Sequence, residues 1–234
     1  MRFIVIGFDG FLAFGGPAVG EVRSTDIFPA CSMVTGLIAN ALGYESGEKE
    51  RLQRLQESIV MGSRIDQPGD RIMDFQTAEL GKKNMMWRSD GFGPDVRAGG
   101  EGTYSGPALR YKHYLADSVV STVVGFRTPE SDESPSVDAV AHALQFPFRV
   151  LFIGRYCCIP YSSLFRGIIE APSVLSALNM LPFQNDTECS QGEWPVSLHQ
   201  EESGEMMIER QDIRDWRNDI HAGSRLVWRG PIRR

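Results

Sequence analysis

The sequence predicts an α+β fold, a ferredoxin-like core domain followed by a smaller β-rich segment, and two observations support this. Up to residue 153, strand-like and helix-like stretches follow one another in the order β-α-(α)-β-β-insert-β-α-β, which is the split βαβ plan. The rest of the chain is mainly strand-like, so we expect a core at residues 1–153 and a packed appendage at 154–234. The elements expected in the appendage are a short helix near 172–181 and strands near 192–200, 204–211 and 224–229.

The first half of the core combines one buried strand with two helices. Residues 2–8, RFIVIGF, are β-branched and aromatic, which is typical of a buried strand. After a glycine-rich loop, Ser32 is the predicted N-cap of a helix that ends at Gly43. Gly36 inside this helix indicates close packing against the sheet. Residues 48–59, EKERLQRLQESI, predict a second helix with its leucines on one face.

The second half of the core supplies the remaining strands and one more helix. Residues 59–66 and 71–80 read as two strands separated by the turn signal QPGD. Residues 109–126 predict one or two further strands. Ser136 then caps a predicted helix, and RVLFIG at residues 149–154 reads as another buried strand.

Composition is that of an ordinary globular protein, with 42% hydrophobic and 23% charged residues. No apolar run approaches the roughly 20 residues that a transmembrane helix needs. The apolar N-terminal run reads as a strand and not as a signal peptide, which predicts a cytoplasmic protein without membrane contact. The four cysteines form no C-x-x-C pair, which predicts free thiols, and we expect no bound metal or other cofactor.

Charge is distributed unevenly along the chain. The formal net charge of −6 argues against a generic nucleic-acid-binding protein, which is usually basic. Residues 81–116 nevertheless carry six Lys or Arg against three Asp or Glu, and the last fifteen residues carry four Arg and no acid, whereas residues 188–219 are strongly acidic. A site for a polyanion would therefore be a local basic patch on an acidic protein.

The long insert and the strand after it interleave cations with aromatic residues. Bases stack on aromatic rings while cations follow phosphates, so this composition suits single-stranded RNA. The alternative is a solvated loop that carries its expected share of charges. The candidate side chains are Lys82, Lys83, Trp87, Arg88, Arg97, Arg110 and Lys112.

The loop between the first strand and the first helix, which we call the opening loop, also has two interpretations. Gly15 and Gly16 allow close approach of the backbone to a ligand, and the N-terminus of the following helix favours anions. Arg23 and Thr25 would add a charged donor and a hydroxyl donor. The alternative is a tight strand-to-helix crossing with a structural role alone.

Motifs of common enzyme classes are absent from the sequence. There is no G-x-S-x-G, H-E-x-x-H, Walker A, EF-hand or dinucleotide fingerprint. The cluster GGEGTYSG lacks the strand and lysine of a phosphate-binding loop. Nothing in the pattern therefore assigns a catalytic group.

Four stretches together resemble CasD-type proteins, the Cas-five family of CRISPR effector complexes. They are GFLAFGGPAVGEVRSTDIFPACSMVTGLIANALGY, DFQTAELG, RYKHYLADSVVSTVV and FIGRYCCIPYSSLFRGII, in the family's order and spacing. The likeness extends from residue 1 to about 183 and is best for the type I-E, or Cascade, branch. Many relatives have Trp-Gly where this chain has Phe14-Gly15, and the acidic segment after Cys189 matches no known pattern.

The resemblance implies a non-catalytic RAMP-type subunit that caps one end of Cascade and holds the 5′ handle of the crRNA. Its β-hairpin thumb would be residues 81–106, and the opening loop would shape the handle pocket, with Arg23 and Thr25 at its rim. Arg155 and Tyr156 would face the same groove. The implied partners are crRNA, the backbone and large subunits of Cascade, and target DNA through the guide.

Two alternatives remain. In the type I-C branch the related subunit is a metal-independent endoribonuclease, and Tyr111, Lys112 and His113 form a similar run here. If this run is a strand, Lys112 points away from the other two side chains. The acidic segment could also serve a scaffolding role, contacting basic subunits of the same assembly.

Overall fold

A computed structural model describes residues 1–16, 18–78, 86–87, 94–95, 108–127, 135–183, 189–196 and 204–233. Its helices are α1 (Cys31–Leu42), α2 (Lys49–Ser58), α3 (Val137–Gln145) and α4 (Val174–Met180). The strands are β1 (Arg2–Leu12), β2 (Ala18–Val19), β3 (Val22–Arg23), β4 (Ile59–Gln67), β5 (Asp70–Ala78), β6 (Met86–Trp87), β7 (Pro94–Asp95), β8 (Ala108–Phe126), β9 (Phe165–Glu170), β10 (Cys189–Pro195), β11 (Met206–Arg210), β12 (Arg214–Asp215), β13 (Ile220–His221) and β14 (Arg225–Arg233).

A large sheet dominates the α+β fold. Its main path runs β11–β14–β10–β4–β8–β1–β9, and the neighbouring strands along this path are antiparallel. β8 is the longest strand of the described chain and lies inside this path, between β4 and β1. Along one edge it pairs with β4 and then β5, and along the other with β1 and then β3.

Helices cover both faces of the sheet because side chains on a strand alternate between faces. On one face, Ile4 and Ile6 of β1 join a core with Val34 and Ile38 of α1, to which residues of α2 and α3 also contribute. On the other face, Phe3 of β1 packs in a second core with α4. The predicted buried strand at residues 2–8 is confirmed, and it is buried on both sides.

The predicted turn at QPGD does not reverse the chain. β4 pairs with residues 119–126 of β8, and β5 pairs with residues 108–116, so the two strands lie end to end along one edge of β8. Gly69 at the junction has φ +65°, and a Cβ there would overlap the carbonyl oxygen of Ala116. The junction is therefore a bend at which β5 and the first half of β8 leave the body of the sheet.

We call the projecting unit the arm, defined as β3, β5 and residues 108–116 of β8. The predicted thumb, residues 81–106, falls between β5 and β8 in the sequence, and apart from β6 and β7 it is outside the described residues. Residues 109–126, predicted to give one or two strands, form a single strand with β8. An irregularity at Asp117, with φ 54°, divides it into two halves.

The start of α1 differs from its prediction. The helix begins at Cys31, so Ser32 lies inside it, and the N-cap Ala30 has no side-chain cap. The Asp212 carboxylate accepts the Cys31 N–H at 3.0 Å instead, which is a cap supplied from the C-terminal part of the chain. Gly36 faces Trp216 and not the sheet, whereas Gly43 ends the helix as predicted.

RVLFIG at residues 149–154 is not a strand, although Leu151 and Ile153 are buried. The edge of β1 that such a strand would need is taken by β9. The segment's backbone bonds locally, with the Ile153 N–H donating to Cys158 O at 2.7 Å. The helix capped at Ser136 is confirmed, since the Ser136 hydroxyl accepts the Ala139 N–H at 3.0 Å.

The C-terminal strands continue the main sheet. β10, β11 and β14 lie near the three strands predicted at 192–200, 204–211 and 224–229. β10 pairs with β4, β14 with β10, and β11 with β14, a pairing that the sequence did not predict. The short helix expected near 172–181 is α4. The division of the chain into residues 1–153 and 154–234 stays a prediction.

All four cysteines are free, as predicted. Cys31 and Cys158 are buried, whereas Cys157 and Cys189 are exposed. Burial raises the pKa of the Cys31 thiol to about 11 and, foremost among several causes, that of Cys158 to about 12. Among the described helices, none is long and apolar enough to cross a bilayer.

Candidate nucleic-acid interface

The arm aligns three of the predicted cations on two neighbouring strands, β3 and β8. Arg23 of β3 is the register partner of Lys112 on β8, and Lys112 is the partner of Asp74 on β5. Register partners share a face, and Arg110 shares it too because it lies two residues from Lys112. Arg110 is exposed and Lys112 is half-buried. One face of the arm therefore presents three cations within a few strand spacings, together with the Asp74 carboxylate of β5. We call it the cationic face because the cations outnumber this one acid.

The next row of the register lies on the opposite face and is apolar. Val22, Tyr111 and Phe75 are partners across β3, β8 and β5. The Tyr111 and Phe75 rings lie 5.0 Å apart, and Phe75 is 51% exposed. The arm thus separates a cationic face from an aromatic face.

The same alternation separates the residues of the endoribonuclease alternative. Tyr111 and His113 lie on one face of β8, and Lys112 between them lies on the other. The Nδ1 atom of His113 is buried without a hydrogen-bond partner. A single substrate phosphate on one face cannot meet all three side chains.

The opening loop is held together by its own residues. Gly15 and Gly16 are exposed at its start, and the Asp26 N–H donates to Gly15 O at 2.6 Å. The Thr25 hydroxyl accepts the Phe14 N–H at 2.9 Å, and Thr25 is 3% exposed. Thr25 stabilises the loop from inside, and its expected place at the rim of a pocket does not fit this burial.

Arg23 closes the turn between β2 and β3. Its Nη1 donates to Gly20 O at 2.8 Å and to Val22 O at 3.1 Å, in an exposed setting. These bonds direct the guanidinium back along the turn. Its position beside Lys112 still adds positive charge to the cationic face.

Arg155 and Tyr156 lie on the loop after α3 and have different environments. The Arg155 guanidinium is half-buried and bonds to backbone carbonyls of both the opening loop and β8. Tyr156 is 84% exposed, and its ring stacks on that of Phe152 at 4.7 Å. Tyr156 is thus available to a base, whereas Arg155 faces the protein.

The remaining predicted RNA ligands lie in the insert. Trp87 belongs to β6, of which the backbone alone is described. Four cations lie outside the described residues and stay predictions, namely Lys82, Lys83, Arg88 and Arg97.

Sequence reasoning missed a buried ionic cluster formed by the C-terminal part of the chain. Glu193 and Asp212, both under 6% exposed, pair with arginines of β11 and β14. Arg210 also reaches the opening loop, with Nη1 2.8 Å from the Asp26 carboxylate. The available signal in the sequence was a charged residue within each of three predicted strands, but only the folded sheet brings Glu193, Arg210 and Arg225 together. The members are Asp26, Glu193, Arg210, Asp212, Arg225 and Arg229.

This cluster accounts for part of the acidic segment. Asp212 and Glu193 are neutralised internally, and Asp219 pairs with Arg214 at 2.5 Å. Hydrogen bonds from Asn218 lower the pKa of Asp215. Fewer carboxylates are therefore left for a scaffolding contact than the sequence indicates. Within the described ranges, no group of three or more His, Cys, Asp or Glu side chains could hold a metal ion.

Comparison with known proteins gives a family match and two structural likenesses. A family model described as CRISPR-associated protein (Cas_Cas5) matches residues 3–228. No curated protein matches the chain. A solved chain described as "CRISPR RNA-guided surveillance complex" has a TM-score of 0.69 and 20% identity, covering 99% of this chain and 90% of that chain. Another, described as "Crystal structure of Cas protein", has a TM-score of 0.59 and 18% identity, covering 98% and 93%. These three chains share a fold.

Proposed function

Because the chain belongs to the CRISPR-associated Cas5 family, we propose that it is a non-catalytic, crRNA-binding subunit of a type I surveillance complex of the Cascade kind. In this role the guide pairs with target DNA while the protein binds the RNA backbone. We further propose that the complex is of the type I-E branch and that the subunit binds the 5′ handle of the crRNA. It would also contact the backbone and large subunits of the complex.

The cationic face of the arm is the observation that carries the proposal. Arg110 and Lys112 project from one face of β8 beside Arg23, next to the exposed glycines of the opening loop. Cations spaced along an extended strand can follow successive phosphates of a single strand. Tyr156, exposed on a neighbouring loop, offers a ring on which a base can stack.

The strand order supports a ferredoxin-like core. β1, α1, α2 and β4 form one βαβ unit, and β8, α3 and β9 form a second. Their interleaving gives the antiparallel order β4–β8–β1–β9, which is the order expected of the split βαβ plan. We extend the proposal to a thumb at residues 81–106, carried by β5 and β8 of the arm, and to a C-terminal appendage.

The endoribonuclease alternative has less support from the geometry. Acid–base cleavage needs its donor, acceptor and cation around one phosphate. Tyr111 and His113 lie on the opposite face of β8 from Lys112, so the three do not converge.

The test mixes the protein, alone and with its partner subunits, with repeat-spacer RNA in EDTA and compares native and denaturing gels. The proposal expects a shifted but intact RNA. A discrete cut that His113→Ala abolishes would replace it with the endoribonuclease. No shift under any of these conditions would contradict RNA binding.

The thumb assignment has its own test. Charge reversal at Lys82, Lys83 and Arg88 should weaken assembly of the complex on crRNA. The matched control is charge reversal at Arg54, an exposed cation on α2. Equal assembly of both variants would contradict the thumb assignment.

A further inference from the structure

We infer that Arg155 is a positioning residue, which holds β3 and the loop residue that follows it against β8, and not an RNA ligand; this inference rests on the proposed function. The sequence suggested a direct contact with RNA. The contacts of its guanidinium, the geometry of its loop and the chemistry of its partners all indicate a different role.

Both terminal nitrogens of Arg155 donate to backbone carbonyls. Nη1 lies 2.8 Å from His113 O on β8. Nη2 lies 3.0 Å from Arg23 O and 3.4 Å from Ser24 O, at the end of β3. The guanidinium thus joins the strand that carries Lys112 to the strand that carries Arg23. A phosphate would have to compete with these backbone carbonyls at both terminal nitrogens.

The guanidinium also lies against an aromatic pair. Its central carbon lies 4.6 Å from the centroid of the Tyr114 ring, and that ring stacks on Phe11 of β1 at 4.4 Å. Tyr114 is 3% exposed, and burial raises the pKa of its hydroxyl. The stack connects the arm to the body of the sheet, and Arg155 is its outermost layer.

The backbone around Arg155 is fixed as tightly as its side chain. The Cys158 N–H donates to Arg155 O at 2.8 Å, closing a short turn. Gly154 has φ +76°, and a Cβ there would overlap the carbonyl oxygen of Ala13. The turn therefore lies directly against the start of the opening loop, and Tyr156 projects from it into solvent.

These contacts require arginine and not merely a positive charge. A guanidinium can bond two strands with its planar fork while lying flat on a ring. An ammonium group is a compact point charge and cannot do both. For a phosphate ligand the opposite holds, because lysine also binds phosphate well. The comparison of Arg155→Lys with Arg155→Gln consequently separates the two roles.

The experiment measures RNA affinity, its salt dependence and amide hydrogen exchange for both variants. The reporter is the Tyr111 N–H, which donates to Glu21 O at 3.0 Å where β3 meets β8. A positioning role predicts that both variants speed its exchange in the free protein by about tenfold, the effect of losing one or two such bonds. Both variants should also bind repeat-spacer RNA more weakly than the wild-type protein, and to the same extent. The slope of log affinity against log salt should stay at its wild-type value.

A direct contact predicts the reverse pattern. Arg155→Lys would then restore affinity, Arg155→Gln would reduce the slope by about 0.7, and exchange at Tyr111 would not change. That result would overturn the inference.

A second variant keeps the test decisive if the Arg155 variants fail to fold. Tyr114→Leu removes the ring beneath the guanidinium at a buried position that RNA cannot reach. Lower affinity with an unchanged slope would support positioning, and full affinity would overturn it. If wild-type protein binds no RNA even with partner subunits, the proposed function fails, while hydrogen exchange in the free protein still decides the role of Arg155.

Discussion

The two halves of β8 have the same backbone conformation but opposite surroundings. Residues 119–126 lie between β1 and β4, and Val120, Val123 and Val124 are fully buried. Residues 108–116 lie between β3 and β5, where Arg110 is exposed and Lys112 is half-buried. One half stabilises the body, while the other presents the candidate interface. The two halves belong to one strand, so residues 108–116 are joined directly to the body of the sheet through residues 119–126.

The junction between the halves shows how the change is made. Asp117 has φ 54° on β8, and Gly69 has φ +65° between β4 and β5. Gln67 Nε2 donates to Asp117 O at 2.6 Å across this bend. The pairing with β8 is interrupted on both sides here, ending at Gln67–Val119 for β4 and beginning again at Asp70–Ala116 for β5.

The largest effect should come from a charge in the buried half. Val124→Asp places a carboxylate among apolar side chains, and we expect a loss of more than about 4 kcal/mol in the free energy of unfolding. Lys112→Gln in the exposed half should change it by less than about 0.5 kcal/mol. Urea denaturation measures both, and similar losses would refute the division of β8 into two halves.

A smaller effect is expected at the junction. Gly69→Ala places a Cβ against Ala116 O at a positive φ and should cost about 1–3 kcal/mol. Gly47→Ala is the control, since a Cβ there meets no atom within 4 Å. Thermal unfolding of both variants tests this, and a neutral Gly69→Ala would show that the bend is not strained.

The smallest expected effect is a difference in thiol reactivity, which is measured on the wild-type protein. Cys31 and Cys158 are buried with pKa values of about 11 and about 12, so only Cys157 and Cys189 should react rapidly with a disulfide reagent at pH 8. Repeat-spacer RNA should slow the reaction of Cys157, which directly follows the exposed Tyr156, and leave that of Cys189 unchanged. Rapid reaction of all four thiols would contradict the burial of Cys31 and Cys158. Equal protection of Cys157 and Cys189 by RNA would contradict an RNA-binding site beside Cys157.

Local signals predicted much of the fold. The apolar run of β1, the Ser136 cap and the end of α1 at Gly43 each depend on neighbours in sequence. The prediction of a strand at RVLFIG was wrong, because an apolar run in the sequence does not show that β9 occupies the edge of β1. The prediction of Ser32 as the N-cap of α1 was wrong because the Cys31 N–H is bonded by Asp212, 181 residues away.

The sequence predicted where the residues of the candidate site lie better than it predicted what each of them does. The alternation of β8 places Arg110 and Lys112 on one face, and this follows from the sequence once the strand is assigned. The roles of Thr25 and Arg155 did not follow. Each polar group is satisfied by a backbone partner that only the folded chain brings near.

The salt dependence of RNA binding tests the central claim most directly. The variant is Arg110→Gln with Lys112→Gln, and the control is Arg54→Gln on α2. If the exposed half of β8 contacts phosphates, the double variant should reduce the slope of log affinity against log salt by about 1.4, at roughly 0.7 for each single-strand contact. The control should keep the wild-type slope. A wild-type slope in the double variant would contradict the assignment of the arm as the RNA-binding surface.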